Sequence, residues 1–136
     1  MAANTNPIFA LTPNITVGNN ILTANTAMDG TGTVVTLYTA GINGSRLDYV
    51  KVRNTGTAVA TVLRLFINNG GATSTATNNA LFFEQTIAAN TLTQTASSID
   101  YLIPLNISLP AGYKITATIG TTVAAALVCS AVGGDY

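Results

Sequence analysis

Residues 59–70 read VATVLRLFINNG, and their alternation suits a strand: Val59, Thr61, Leu63, Leu65 and Ile67 fall on one face, with Ala60, Val62, Arg64 and Phe66 on the other. The first set is the expected core face. Asn69-Gly70-Gly71 then supplies the turn that ends the run.

The same period of two recurs on both sides of this stretch. Leu81, Phe83 and Ile87 oppose Phe82, Glu84 and Thr86, and Tyr113, Ile115, Ala117 and Ile119 oppose Lys114, Thr116 and Thr118. Further runs cover 21–24, 33–39, 47–53, 99–105 and 123–132, separated by turns such as Asp29-Gly30-Thr31-Gly32, Asn43-Gly44 and Pro110-Ala111-Gly112. The last run is apolar on both faces and rich in alanine. Its Val123, Val128 and Val132, closed by Gly133-Gly134, favour a strand over a helix. About eight short strands and no convincing helix predict an all-β antiparallel sandwich or barrel, with Val50, Val52, Leu63, Leu65, Phe83, Ile115 and Leu127 in the core. Residues 68–80, built of Asn, Gly, Ala, Ser and Thr, read as a mobile surface loop.

The chain divides into an N-terminal segment, 1–19, and a single sandwich domain, 20–136. Pro7 and Pro13 flank the apolar cluster Ile8, Phe9 and Leu11 and disfavour a central strand. Two readings of this segment stay open. It is an extended arm that reaches a neighbouring subunit, or Ile8–Leu11 adds an edge strand to its own sheet.

Composition narrows the chemistry. Of 136 residues only five are Lys or Arg and five Asp or Glu, 7% in all, whereas a typical globular protein carries about 25%. Thr fills 23 positions and Asn 14, so the polarity is neutral. No His is present, which excludes a Ser-His-Asp triad, a Cys-His pair and any imidazole metal ligand. Glu84 is the sole Glu, and a cross-strand ion pair with Arg64 is its expected use. Asp29 is expected to shape a turn, and Cys129 to be a small buried hydrophobe. Neither an enzyme nor a cofactor or metal site is expected.

Zero net charge gives no signature of nucleic-acid or anionic-membrane binding. The start of the chain shows no secretory signal, no apolar run is long enough for a membrane span, and synthesis in a cytoplasm is expected. A mean hydropathy of +0.42 with so little charge predicts a surface partly covered by another protein. Candidate contacts are Ile8, Phe9 and Leu11, together with the cations Lys51, Arg53 and Arg64. Lys51 and Arg53 share a strand face with Leu47 and Tyr49, an arrangement that also fits a solvated face blunting an edge. Saccharide binding is a weaker candidate, since Trp is absent and four of the five Tyr residues lie in expected strands.

The segments VATVLRLFINNG (59–70), NNALFFEQT (78–86), LPAGYKITATIG (109–120) and GGDY (133–136) resemble small virion structural proteins of tailed bacteriophages. The resemblance covers most of the chain from about residue 46. It implies a jelly-roll sandwich acting as a capsid cement or decoration protein on the outer surface of the virion, with the major capsid protein as partner and a homo-oligomer, dimer or trimer, as the assembled form. A head fibre, collar or tail component with a sugar-binding or host-attachment role is the alternative. The family offers no catalytic or cofactor-binding residues.

Overall fold

The structure, a computed structural model, describes residues 9–136. Its eight strands are β1 (Thr12–Ile21), β2 (Val35–Thr39), β3 (Ser45–Asn54), β4 (Thr61–Asn68), β5 (Asn79–Ile87), β6 (Tyr101–Leu109), β7 (Lys114–Ile119) and β8 (Leu127–Asp135), with one 3-10 turn at Ala76–Asn78. They form two antiparallel four-stranded sheets, ordered β1-β8-β3-β6 and β2-β7-β4-β5.

The order has a simple origin. β4 pairs with β5, β3 with β6, β2 with β7 and β1 with β8, so the chain is one long hairpin whose tip is the loop 69–78. Rolling that hairpin so that successive strand pairs alternate between layers adds the β3–β8 and β4–β7 pairings and produces a double-sheet jelly roll. Inward side chains of both layers, including Leu37, Val52, Leu63, Leu65, Ile115, Ile119 and Leu127, fill the space between them.

Most of the expected strands and core residues stand. Val50, Val52, Leu63, Leu65, Ile115 and Leu127 are buried, whereas Phe83 lies on the edge strand β5 and packs only partly against the core. The last strand is shifted: residues 123–126 bend, and β8 runs through Gly133-Gly134 instead of stopping there. Gly133 is required within the strand because a Cβ there would sit 2.2 Å from the Arg46 carbonyl oxygen and 3.1 Å from the Tyr38 hydroxyl. The loop 69–78 is knitted by its own asparagines: Asn69 N–H donates to the Asn78 carbonyl at 3.0 Å, Asn78 Nδ2 to the Ala72 carbonyl at 3.0 Å, and Asn79 Nδ2 to the Thr73 carbonyl at 2.9 Å. The segment is a surface loop, as composition predicts, with hydrogen bonds of its own.

The first strand is the main departure. It covers Thr12–Ile21, not 21–24, so residues 12–19 of the expected arm belong to the sandwich as an edge strand. An edge position tolerates Pro13, which lacks an N–H for the ladder. Residues 1–8, with Pro7 and Ile8, lie outside the described residues.

β4 is buried on both faces. Leu63 and Leu65 enter the core, while Phe66 and Arg64 are buried on the outward face of the second sheet. The β1–β2 connection covers Phe66. Asn25 Nδ2 donates to the Thr31 and Thr33 carbonyls at 2.7 and 2.8 Å, and Asn25 Oδ1 accepts from Ala27 N–H at 2.9 Å. Thus folded, the connection brings Gly30 (φ +79°) onto Phe66, so close that a Cβ there would lie 3.0 Å from the ring and 2.7 Å from Asn79 Cβ. On the same outward face the hydroxyls of Thr116 and Thr118 are buried with no hydrogen-bond partner among the described residues. Thr116→Val and Thr118→Val each remove an unsatisfied hydroxyl while keeping the shape, and each is expected to raise stability by about 1 kcal/mol. A higher urea midpoint at unchanged m-value would show it.

Candidate interaction surface

Two of the expected contact residues are exposed at the entry to β1: Phe9 at 73% and Leu11 at 83%, with the chain anchored by Leu11 N–H donating to the Asp135 carbonyl at 2.7 Å. Ile8 lies outside the described residues.

The three cations do not form one patch. Lys51 and Arg53 are exposed on the outward face of β3 in the first sheet, whereas Arg64 belongs to β4 in the second sheet and is 8% exposed. Arg64 Nε donates to Glu84 Oε1 at 2.7 Å, the cross-strand pair expected from sequence, so its charge is engaged within the domain. Lys51 Nζ lies 3.1 Å from Asp100 Oδ2, and Arg46 Nε 3.2 Å from Asp48 Oδ1. Arg53 has no carboxylate within salt-bridge distance among the described residues. Leu47 also leaves the expected patch: the register shifts between Leu47 and Tyr49, turning Leu47 into the core and Tyr49 outward. The outward face of β3 and β6 is therefore Tyr49, Lys51 and Arg53 beside Leu102 and Pro104.

The C-terminal residues form a polar clasp between the sheets. Asp135 of β8 accepts hydrogen bonds from Asn14 Nδ2 at 3.0 and 3.2 Å, from the buried Ser45 hydroxyl of β3, and from the Tyr38 hydroxyl of β2 at 3.5 Å. The Asn14 amide, then the Ser45 hydroxyl, hold the Asp135 carboxyl below its ordinary pKa. Burial pushes the Tyr38 phenol up, so it stays a donor. Tyr136 follows, its N–H donating to the Gly44 carbonyl at 3.1 Å and its hydroxyl 2.8 Å from Ser108 Oγ, beside a surface depression lined by Asn43, Arg46, Ser108 and Tyr136. The signal for this clasp was the Gly-Gly pair ahead of Asp135, which sequence periodicity alone reads as a strand end.

Asp29 Oδ1 accepts from the Thr31 N–H at 3.0 Å and the Thr31 hydroxyl at 2.6 Å, closing a turn and lowering its pKa. Burial pushes the Cys129 thiol up to about 12, which leaves almost no thiolate at neutral pH. Among the described residues no group of three or more His, Cys, Asp or Glu is placed to hold a metal ion, and no helix is long and apolar enough to cross a membrane.

No protein-family model matches this chain, and no curated protein gives a significant match. Solved structures do align with it. One is the T13 particle of infectious bursal disease virus, at 17% identity and a TM-score of 0.41, over 98% of this chain and 35% of that one. A second is a mutant VP2 protein of the same virus in T=1 particles, at 18% identity and a TM-score of 0.39, over 98% and 36%. The chain spans about a third of the length of these proteins.

Proposed function

We propose that this chain is a structural subunit of a virus particle, a cement or decoration protein of a tailed bacteriophage that binds the outside of the major capsid shell and bridges neighbouring subunits. The observation that carries the reading is an uncharged apolar segment held in solvent at the edge of a jelly roll: Phe9 and Leu11 are among the most exposed large apolar side chains of the described residues. The jelly roll is a scaffold that capsid domains share with lectins and other proteins, so the scaffold alone does not choose among them. Support for a particle subunit comes from the segments that resemble phage virion proteins and from a surface with too little charge to keep copies apart.

The N-terminal arm of this proposal is residues 1–11, since β1 begins at Thr12. Deleting residues 2–9 should leave the melting temperature within a degree or two and reduce occupancy on particles stripped of the protein. A large fall in melting temperature with occupancy preserved would assign the segment to the fold instead. Attachment should also survive high salt, because the exposed ion pairs of the first sheet are screened over about 10 Å at 0.1 M. Release from intact particles by moderate salt alone would transfer the affinity to Lys51 and Arg53. Density for the chain on the outer shell in a particle reconstruction is the direct test of location.

The alternative, a fibre, collar or tail component that binds saccharide, has one observation in its favour. Tyr136 is the Tyr outside the expected strands, and its ring borders the depression shared with Asn43, Arg46 and Ser108. Host glycan binding lost in Tyr136→Ala would favour this reading over the cement role.

A further inference from the structure

Arg64 is a buried cation with most of its donors unspent. It is 8% exposed, and only Nε meets Glu84, at 2.7 Å. Nη1 and Nη2, which carry the rest of the guanidinium N–H groups, have no acceptor among the described residues. Thr118, its cross-strand neighbour on β7, offers none, since its hydroxyl is buried and unbonded among those residues. A buried guanidinium is costly in this state, so its open edge marks where an acceptor belongs.

Arg64 lines a surface depression of about 370 Å³ together with Val62, Thr86, Gly120 and Thr121, and among the described residues it is the one charge of that lining. Gly120 keeps the approach to the guanidinium clear: a Cβ there would stand 3.5 Å from Nη1 and 3.9 Å from Nη2. The main chain around the depression is taken. β4 is paired on both sides, and Gly120 N–H donates to the Val62 carbonyl at 2.9 Å. The Thr61 hydroxyl accepts from Thr121 N–H at 2.9 Å and donates to the Thr121 carbonyl at 3.3 Å. What stays open is the guanidinium edge and the hydroxyls of the exposed Thr86 and Thr121.

We propose that this depression binds an acidic sugar, the Arg64 Nη pair holding its carboxylate and the Thr86 and Thr121 hydroxyls meeting its ring hydroxyls. The two Nη atoms present parallel N–H groups that match the two oxygens of a carboxylate. Glu84 fixes the guanidinium from the Nε side, and its own side chain is 48% exposed, where water and salt screen it from a second anion. A ligand made of hydroxyls and one carboxylate suits this lining. A peptide suits it less, because its main chain finds the neighbouring main-chain groups already paired. The volume lies at the small end of the ~300–1,000 Å³ of ligand pockets, which fits a single sugar residue.

The site is separate from the depression beside Tyr136 and from attachment to a particle, so its failure leaves both of those readings standing. Glucuronate, galacturonate and N-acetylneuraminate are titrated into the isotope-labelled full chain and followed by amide chemical shifts. At least one should give saturable shifts at Thr86, Gly120 and Thr121 with a dissociation constant of roughly 1 mM, the affinity of a ligand this small at ordinary efficiency. Glucose should give none. Gly120 lies outside the left-handed region, so Gly120→Ala keeps the fold and the Glu84 pair but sets a methyl before the Nη atoms; binding should weaken about tenfold or more. Arg64→Lys keeps the charge, loses the fork and should weaken binding as far. Tyr136→Ala should bind like the parent. No saturable shift with any of the three acids at ~20 mM, or parental binding by folded Gly120→Ala, would overturn the site. Equal binding of a blocked glutamate peptide would overturn the sugar in favour of an acidic side chain.

Discussion

Leu65→Ala is expected to destabilise the sandwich by about 2–5 kcal/mol, enough to unfold much of a marginally stable domain. Leu65 is fully buried on β4, with Ala117 of β7 on one side and Phe83 of β5 on the other. Truncation therefore opens a cavity in the middle of the second sheet. Its neighbours there are held by ladder pairing on both sides and have little freedom to collapse into the gap, which places the cost toward the upper part of the range. Urea unfolding monitored by far-UV circular dichroism gives the number. A loss below 1 kcal/mol would mean that Leu65 is not a core residue.

Removing the Asp135 carboxylate is the second large effect. Asp135→Ala leaves the buried Ser45 hydroxyl and the buried Tyr38 hydroxyl without their acceptor and frees Asn14 from the clasp, at an expected cost of about 1–3 kcal/mol. The same contacts make a pH prediction. Because the folded-state pKa of Asp135 is held below its unfolded value, the carboxylate contributes stability that is complete above the unfolded value, near 4, and is lost as pH falls through the folded value. Asp135→Asn should flatten the acid limb of the stability curve while lowering the neutral plateau. An acid limb identical to the parent's would remove Asp135 as its source, leaving the turn carboxylate Asp29, whose pKa is also lowered, as the next group to test.

Much of the architecture was legible because strand periodicity is local. A run such as 59–70 declares its own alternation, and every strand but β1, which shares only Ile21 with its run, lies largely within the runs read from sequence. The pairing of Arg64 with Glu84 was legible for a related reason: a single Glu on a neighbouring alternating run leaves few other partners. The contact residues fared differently. Lys51, Arg53 and Arg64 look alike in sequence, yet the roll sends them to two sheets, where Lys51 and Arg53 stay exposed and Arg64 is buried against Glu84.

What the sequence by itself determined is the class: an all-β chain, poor in charge and without His, whose apolar residues recur every second position. Periodicity of two states that a strand has two faces but not which phase meets the core, and that choice belongs to the tertiary structure. In β4 the core takes Leu63 and Leu65, as hydrophobicity predicts. In β1 the edge carbonyls of β2 need donors, so Asn14, Thr16 and Asn19 turn inward and Ile15 and Val17 are left in water. Gly133 obeys the same logic, read as a strand end until the backbone of β3 passes close enough to exclude a Cβ. Contacts between residues far apart in the chain decide these positions, and no local pattern encodes them.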